Sequence, residues 1–213
     1  MERRKLGRQG LEVSAMGLGC MGMSDFYGGA DRRESLATID AAITQGVTWL
    51  DSADYYGMGD NELLISEALA GRRREDMFIA LKFGAQRGPD GNFIGIDLRP
   101  NSIRNFLCYS LRRLGTEYVD LYQPARIDPA VPIEDTIGAI KDLIDAGYVR
   151  HVGLSEVSAT TLRRAHAVHP IAAVEMEYSL ITRDIEAAVL PTARELGVGI
   201  VAYGVLSRGL LSG

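Results

Sequence analysis

The chain has 213 residues and a formal net charge of −5, with 46% hydrophobic and 24% charged residues. This composition is typical of a folded globular protein and excludes a disordered chain. The acidic balance gives no electrostatic support for nucleic-acid binding. No apolar run approaches the roughly 20 residues that a membrane-spanning helix needs.

The N-terminus and the cysteines indicate the compartment. Residues 1–19 begin with basic side chains, but glycine, glutamate and serine interrupt the apolar core that a signal peptide needs. Cys20 and Cys108 fit neither a disulfide framework nor a zinc site, and no metal site is predicted. We expect both cysteines to be small buried hydrophobic residues in a reducing, cytoplasmic environment.

Short apolar runs alternate with segments of helical periodicity. Seven runs are predicted as strands, at residues 15–19, 48–50, 77–81, 119–122, 149–154, 172–174 and 199–202. Apolar residues three or four positions apart predict six helices, over residues 32–46, 61–71, 101–115, 133–147, 159–168 and 185–196. Strands that alternate with helices predict a parallel sheet.

The repeated strand–helix unit, without a G-x-G-x-x-G turn after the first strand, favours a (β/α)₈ TIM barrel over a doubly wound sheet. Residues 3–14 are predicted to form a β-hairpin over the bottom of the barrel, and residues 84–100 a long irregular loop. Seven strands are one fewer than a closed barrel of this type has. We therefore predict that residues 1–213 form one barrel domain that is incomplete before strand eight, closed by further chain or by something else.

Polar side chains stand where predicted strands end, which is where a TIM barrel places its active site. Asp51 ends the second strand, Tyr56 follows it, and Lys82 ends the third. An ammonium group should lower the pKa of a neighbouring phenol, and an aspartate can keep that ammonium charged and oriented. Singly, these residues are commonly a helix cap, a packing residue and a solvated charge. Together they predict a proton donor for a carbonyl oxygen.

Five stretches carry a resemblance to a known family. They are DSADYYG with NELLISEAL, FIALKFG, LRRLGTEYVDLYQ, VRHVGLSE and AYGVLSRGLLSG. In order and spacing they resemble the aldo-keto reductases along nearly the whole chain. The resemblance implies a barrel that binds a nicotinamide cofactor, usually NADPH, and reduces aldehydes or ketones. It also implies that Tyr56 is the general acid/base, with Lys82 and Asp51 as its partners.

The resemblance assigns cofactor contacts as well. The residues that would hold the nicotinamide carboxamide are Ser155, Glu156 and Glu175, and the residue that would stack on its ring is Tyr203. The residues that would line the ribose and pyrophosphate are Gly22, Met23, Leu206, Ser207 and Arg208. The family's site for the 2′-phosphate follows strand eight, so NADP(H) rather than NAD(H) is implied by the resemblance alone.

The sequence departs from the family pattern at three positions of the site. Ala125 stands where the family usually has a histidine at the end of strand four, Glu175 stands where glutamine is common, and Gly204 stands where serine is common. The histidines of the chain do not compensate, because they fall at the start of a strand or the end of a helix: His151, His166 and His169.

Two functions of different kinds are therefore open. Asp51, Tyr56 and Lys82 favour an oxidoreductase that reduces a small-molecule aldehyde or ketone to an alcohol. Ala125 and the missing eighth strand favour a non-catalytic nucleotide-binding or regulatory subunit on the same scaffold. The sequence names neither the natural substrate nor the oligomeric state.

Overall fold

The computed structural model describes residues 1–24 and 26–212 of the chain. Among these residues the strands are β1 (Arg3–Leu6), β2 (Leu11–Ser14), β3 (Leu18–Gly19), β4 (Trp49–Ala53), β5 (Phe78–Phe83), β6 (Ala85–Arg87), β7 (Phe93–Ile96), β8 (Val119–Pro124), β9 (Val149–Ser155), β10 (Ala173–Glu177) and β11 (Gly199–Tyr203). The α-helices are α1 (Arg32–Thr44), α2 (Asp60–Ala68), α3 (Pro100–Leu114), α4 (Ile133–Asp145), α5 (Ala159–Val168) and α6 (Val189–Leu196).

Seven of the strands form one sheet, in the order β3-β4-β5-β8-β9-β10-β11. Every neighbouring pair in it is parallel. All seven predicted barrel strands are present, and four of them run two or three residues further toward the carboxyl end than the apolar runs indicated. Within the described residues, β3 and β11 end the sheet without pairing to each other.

Helices and sheet bury one continuous apolar core. Ile103 on α3, Ile137 on α4 and Leu162 on α5 are fully buried against strand residues such as Leu154. The helix boundaries follow local chemistry: Ser158 caps α5 by accepting a hydrogen bond from the backbone N–H of Thr161. The last predicted helix is shorter than expected, because residues 184–186 form a separate 3₁₀ turn before α6.

The N-terminal hairpin of β1 and β2 closes the amino-terminal end of the sheet, as predicted. Leu11 and Val13 of β2 pack with Trp49, Ala172 and other small or apolar strand residues in a second, smaller core. The ring of Trp49 stacks on Phe78 with the ring centres 4.4 Å apart. This end of the molecule is thus sealed by apolar contacts.

Two expectations from the sequence are wrong, one for a loop and one for a cysteine. Residues 85–96 are not irregular, because β6 and β7 pair as an antiparallel hairpin beside the carboxyl ends of the strands. Cys20 is buried as expected, but Cys108 is exposed on α3, so its prediction as a core residue is wrong.

No helix among residues 1–24 and 26–212 has the length and apolar character needed to cross a bilayer.

Candidate active site

A large cavity opens at the carboxyl ends of the parallel strands, with a volume of about 840 Å³. The sequence-predicted site residues that line it are Asp51, Tyr56, Lys82, Gly22, Ser155, Glu175, Tyr203 and Arg208. The predicted residues that stand outside its lining are Met23, Glu156, Leu206 and Ser207. The structure thus brings the three proposed catalytic side chains together with five of the nine proposed cofactor contacts.

Lys82 is the centre of a buried cluster of charges. It stands near the end of β5, is 4% exposed, and donates a hydrogen bond from its ammonium group to Oδ1 of Asp51 on the neighbouring β4. Its Nζ also lies 3.2 Å from each carboxylate oxygen of Glu175 on β10. The expected contact between Asp51 and Lys82 is present, and Glu175 is a second partner that sequence reasoning did not assign to the lysine.

Burial and neighbouring charges both shift the pKa values of the groups in this cluster. Burial alone would lower the pKa of Lys82, but the carboxylates of Asp51 and Glu175 raise it well above its usual value. Burial, together with the nearby Glu175, raises the pKa of Asp51 to about 7 despite the ammonium group of Lys82. The cluster therefore contains a lysine that stays protonated and a carboxyl group that takes up a proton close to neutrality.

Tyr56 lies in the short turn between β4 and α2 and is 4% exposed. The Lys82 Nζ is 5.6 Å from the centre of the Tyr56 ring. Burial raises the pKa of Tyr56 above its usual value, and Lys82 acts in the opposite direction without reversing the shift. The expectation of a lowered pKa is therefore wrong in sign, because loss of hydration outweighs the ammonium group.

Gln123 is a site residue that sequence reasoning missed. It is 1% exposed on β8, and its Nε2 donates a 2.6 Å hydrogen bond to Oε2 of Glu175. The Oε1 of Gln123 has no hydrogen-bond partner among the described residues. A polar residue directly after the apolar run of residues 119–122 was the available signal. Gln123 and Lys82 together hold the carboxylate of Glu175 in one orientation.

The proposed nicotinamide contacts differ in their surroundings. Ser155 ends β9, is 1% exposed and lines the cavity. Tyr203 ends β11 with a third of its surface exposed, at 36%. Glu156 has a left-handed backbone, φ 51°, and its carboxylate accepts a 2.8 Å hydrogen bond from the backbone N–H of Glu177. Its side chain is thus engaged with the neighbouring strand.

Aromatic residues that were not predicted surround Tyr56. The ring centre of Tyr55 is 5.0 Å from that of Tyr56, and that of Phe26 is 6.0 Å away. Phe93 of β7 lies 5.9 Å from both Tyr55 and Phe26. These rings line the cavity together with Ala125, so the residue in the histidine's place does face the cavity. The described histidines lie outside its lining.

Metal chemistry has no support in the described residues, since no three or more His, Cys, Asp or Glu side chains converge there in a way that could hold an ion. The polar groups of the cavity are instead one ammonium, two guanidinium groups, three carboxylates and several hydroxyls. Such a set can donate, accept and hold protons next to a flat, partly apolar cavity wall.

Comparison with known proteins places this arrangement in context. The model of the Aldo/keto reductase family matches residues 15–213. A curated relative, "Probable aldo-keto reductase 1" of Glycine max, is 48% identical over 212 residues, which are 98% of this chain and 60% of that protein. The chain thus spans less than two thirds of the length of this relative.

Solved structures share the fold. The thermostable aldo-keto reductase Tm1743, in complex with the inhibitor epalrestat, has a TM-score of 0.88 and 34% identity over 99% of this chain and 75% of its own. The holo form of AKR11C1 from Bacillus halodurans has a TM-score of 0.89 and 34% identity, over 99% of this chain and 68% of its own. The glycerol dehydrogenase AKR11B4 of Gluconobacter oxydans has a TM-score of 0.89 and 30% identity, over 98% and 64%. The seven-stranded sheet is therefore part of a (β/α)₈ barrel.

Proposed function

The chain belongs to the aldo/keto reductase family, and from this premise we propose that it reduces an aldehyde or ketone to an alcohol with NADPH. The observation that carries the proposal is the buried contact between Lys82 and Asp51 next to Tyr56, on the wall of one cavity. Burying an ammonium group costs free energy that packing alone does not require. A protein that only bound nucleotides would have no use for this charge beside a phenol.

The residues present fit a nicotinamide ring with its carboxamide. The Ser155 side chain lines the cavity, so its hydroxyl is placed to bond a carboxamide. The Tyr203 ring, which is partly exposed at the cavity, offers a flat surface for stacking. When bound, the reduced cofactor supplies the hydride that the carbonyl carbon receives.

Tyr56 supplies the proton in this proposal. Because burial raises the pKa of Tyr56, the phenol keeps its proton at neutral pH and is in the donor form when substrate binds. As negative charge develops on the carbonyl oxygen, that oxygen takes the proton from the Tyr56 hydroxyl. Lys82 stabilises the phenolate that remains, and Asp51 holds Lys82 in place. In the reverse direction the phenolate accepts the proton of an alcohol.

The test is NADPH consumption by the purified protein with aldehydes and ketones of increasing size. Tyr56→Phe should lower kcat by about 10²–10⁴-fold, the usual contribution of general acid catalysis. Thermal unfolding and NADPH affinity should stay unchanged, because only one hydroxyl group is lost. A phenylalanine variant that keeps most of its kcat would refute the role of Tyr56.

A second function is favoured by one observation, the presence of Ala125 on the cavity wall where the family usually supplies a hydrogen-bond donor. A nucleotide-binding or regulatory subunit would bind NADPH but consume none with any carbonyl compound. Cofactor binding followed by fluorescence, run beside the activity assay with NADPH and NADH in parallel, separates the two functions and tests the cofactor preference.

A further inference from the structure

A second phenol stands beside Tyr56 in the cavity. Tyr55 is partly buried, lines the cavity with Tyr56, Lys82 and Ala125, and meets the Tyr56 ring edge-on at an interplanar angle of 79°. Burial raises the pKa of Tyr55, whereas Lys82, Arg126 and a hydrogen bond with the side chain of Tyr56 act in the opposite direction. The Tyr55 hydroxyl is therefore near the same hydroxyl and the same positive charge that the proposed reaction uses.

The packing around Tyr55 fixes the direction of its ring. Tyr56 covers one side, and Phe93 of the β6–β7 hairpin contacts the ring from another at 5.9 Å and an interplanar angle of 65°. A hydroxyl on a ring that is held on two sides loses little freedom when it bonds a substrate. Tyr55 is thus an oriented donor and not a mobile surface phenol.

The carbonyl oxygen of a substrate in this cavity would be stabilised by a second hydrogen-bond donor. An oxygen that gains negative charge in a reaction is stabilised best when more than one group donates a hydrogen bond to it. Ala125 has no polar side-chain atom, and the described histidines lie elsewhere. Tyr55 is adjacent to Tyr56 in sequence and in space, whereas Ser155 and Tyr203 come from β9 and β11.

We propose that Tyr55 is a further catalytic residue, which donates a second hydrogen bond to the carbonyl oxygen while Tyr56 delivers the proton. The inference rests on the carbonyl reduction proposed above. As the hydride reaches the carbonyl carbon, the C=O π electrons move to oxygen, and this oxygen forms its new O–H bond with the proton of Tyr56. Tyr55 keeps its own proton throughout. The reduced cofactor that gave the hydride is left oxidised, and the Tyr56 phenolate regains a proton from the solution, so charge and atoms balance.

Tyr55→Phe removes the hydroxyl and keeps the ring, and it is the main test. With a small aldehyde and saturating reduced cofactor, kcat should fall by roughly 10²-fold, the scale of losing one such donor. The primary isotope effect with cofactor deuterated at the transferred position should rise, because hydride transfer becomes slower than the other steps. Cofactor affinity should not change. Tyr148→Phe, on an exposed tyrosine outside the cavity, is the matched control and should behave as the unaltered protein.

A second substitution tests whether Tyr55 acts as a hydrogen-bond donor or only as a packing residue. Ala125→His places an imidazole on the same cavity wall. In the Tyr55→Phe background it should recover kcat at least tenfold, whereas in the protein that retains Tyr55 it should change kcat little. An equal gain in both backgrounds would mean that the two groups act independently, and it would overturn the proposal.

The outcomes also separate this inference from the function on which it rests. Unaltered kcat and isotope effect in Tyr55→Phe, with Tyr56→Phe inactive, overturn the role of Tyr55 and leave the reductase function standing. Failure of the unaltered protein to reduce any aldehyde, with cofactor bound, overturns both.

Discussion

The two ends of the parallel sheet bury different kinds of side chain. At the carboxyl ends, the buried Lys82 and Glu175 and the mostly buried Asp51 lie together next to a large cavity. At the amino ends, Leu11, Val13 and Trp49 form an apolar seal. Buried charges add little net stability even when paired, whereas buried apolar surface adds about 25 cal/mol per Å². The amino end of the sheet therefore contributes to stability, whereas the carboxyl end holds the candidate catalytic groups.

The largest effect on stability is expected from a substitution at the apolar end of the sheet. Trp49→Ala removes the stacking on Phe78 and leaves a cavity beneath the hairpin, so it should lower the free energy of unfolding by about 3–5 kcal/mol. Trp49 stands two residues before Asp51 on β4 but packs in the apolar seal, so kcat of the folded fraction should stay within about twofold of the unaltered protein if the two ends act independently. Urea unfolding and steady-state kinetics measure the two quantities. A folded Trp49→Ala protein with a kcat far below normal would show that the two ends are coupled.

A smaller effect is expected at the carboxyl end. Glu175 faces the cavity as a carboxylate beside Lys82 and Gln123, and its negative charge should favour the cationic oxidised nicotinamide over the neutral reduced one. Glu175→Gln should therefore tighten NADPH binding relative to NADP⁺ by about five- to tenfold, since Lys82 offsets part of the Coulomb energy. Titrations of the protein with NADPH and with NADP⁺ give the two dissociation constants and their ratio.

Glu134→Gln is the control for this ratio, because it removes the same charge from an exposed ion pair on α4. If Glu175→Gln and Glu134→Gln change the ratio of the NADPH and NADP⁺ dissociation constants equally, the effect is not local to Glu175.

The last prediction concerns the pH dependence of stability. Asp54 follows β4, and burial, followed by the nearby Glu62, raises its pKa well above 3.8 despite Arg113. Between 3.8 and the raised pKa the folded protein binds more protons than the unfolded chain, so Asp54 makes stability fall as pH rises. Each full proton of difference is worth about 1.4 kcal/mol per pH unit.

Asp54→Asn cannot titrate, and its stability should fall less between about pH 5 and pH 8 than that of the unaltered protein. Melting curves at both pH values measure this, with the exposed Glu117→Gln as a control. Parallel pH dependence in all three proteins would exclude Asp54 as the source.

Sequence patterns predict the alternating elements well, because each helix and barrel strand carries its own apolar period. They also place Asp51, Tyr56 and Lys82 at one rim, since the ends of successive parallel strands are neighbours. The bond between Gln123 and Glu175 was not predictable in this way, because β8 and β10 are separated in the sheet by β9. The raised pKa of Tyr56 depends on burial by loops, which no local pattern encodes. The β6–β7 hairpin was missed because its apolar residues Phe93 and Ile94 are exposed.

The hairpin that seals the amino ends also constrains the order of folding. A Cβ atom on Gly7, at its turn, would lie 2.7 Å from the carbonyl oxygen of Gly197 and 2.8 Å from the backbone nitrogen of Gly199. The backbone N–H of Arg8 donates a 2.8 Å hydrogen bond to the same carbonyl. The residues around Gly7 therefore cannot complete their packing until the strand at residue 199 has been synthesised. Such late, long-range closure slows folding and lengthens the time for which Leu11 and Val13 stay uncovered.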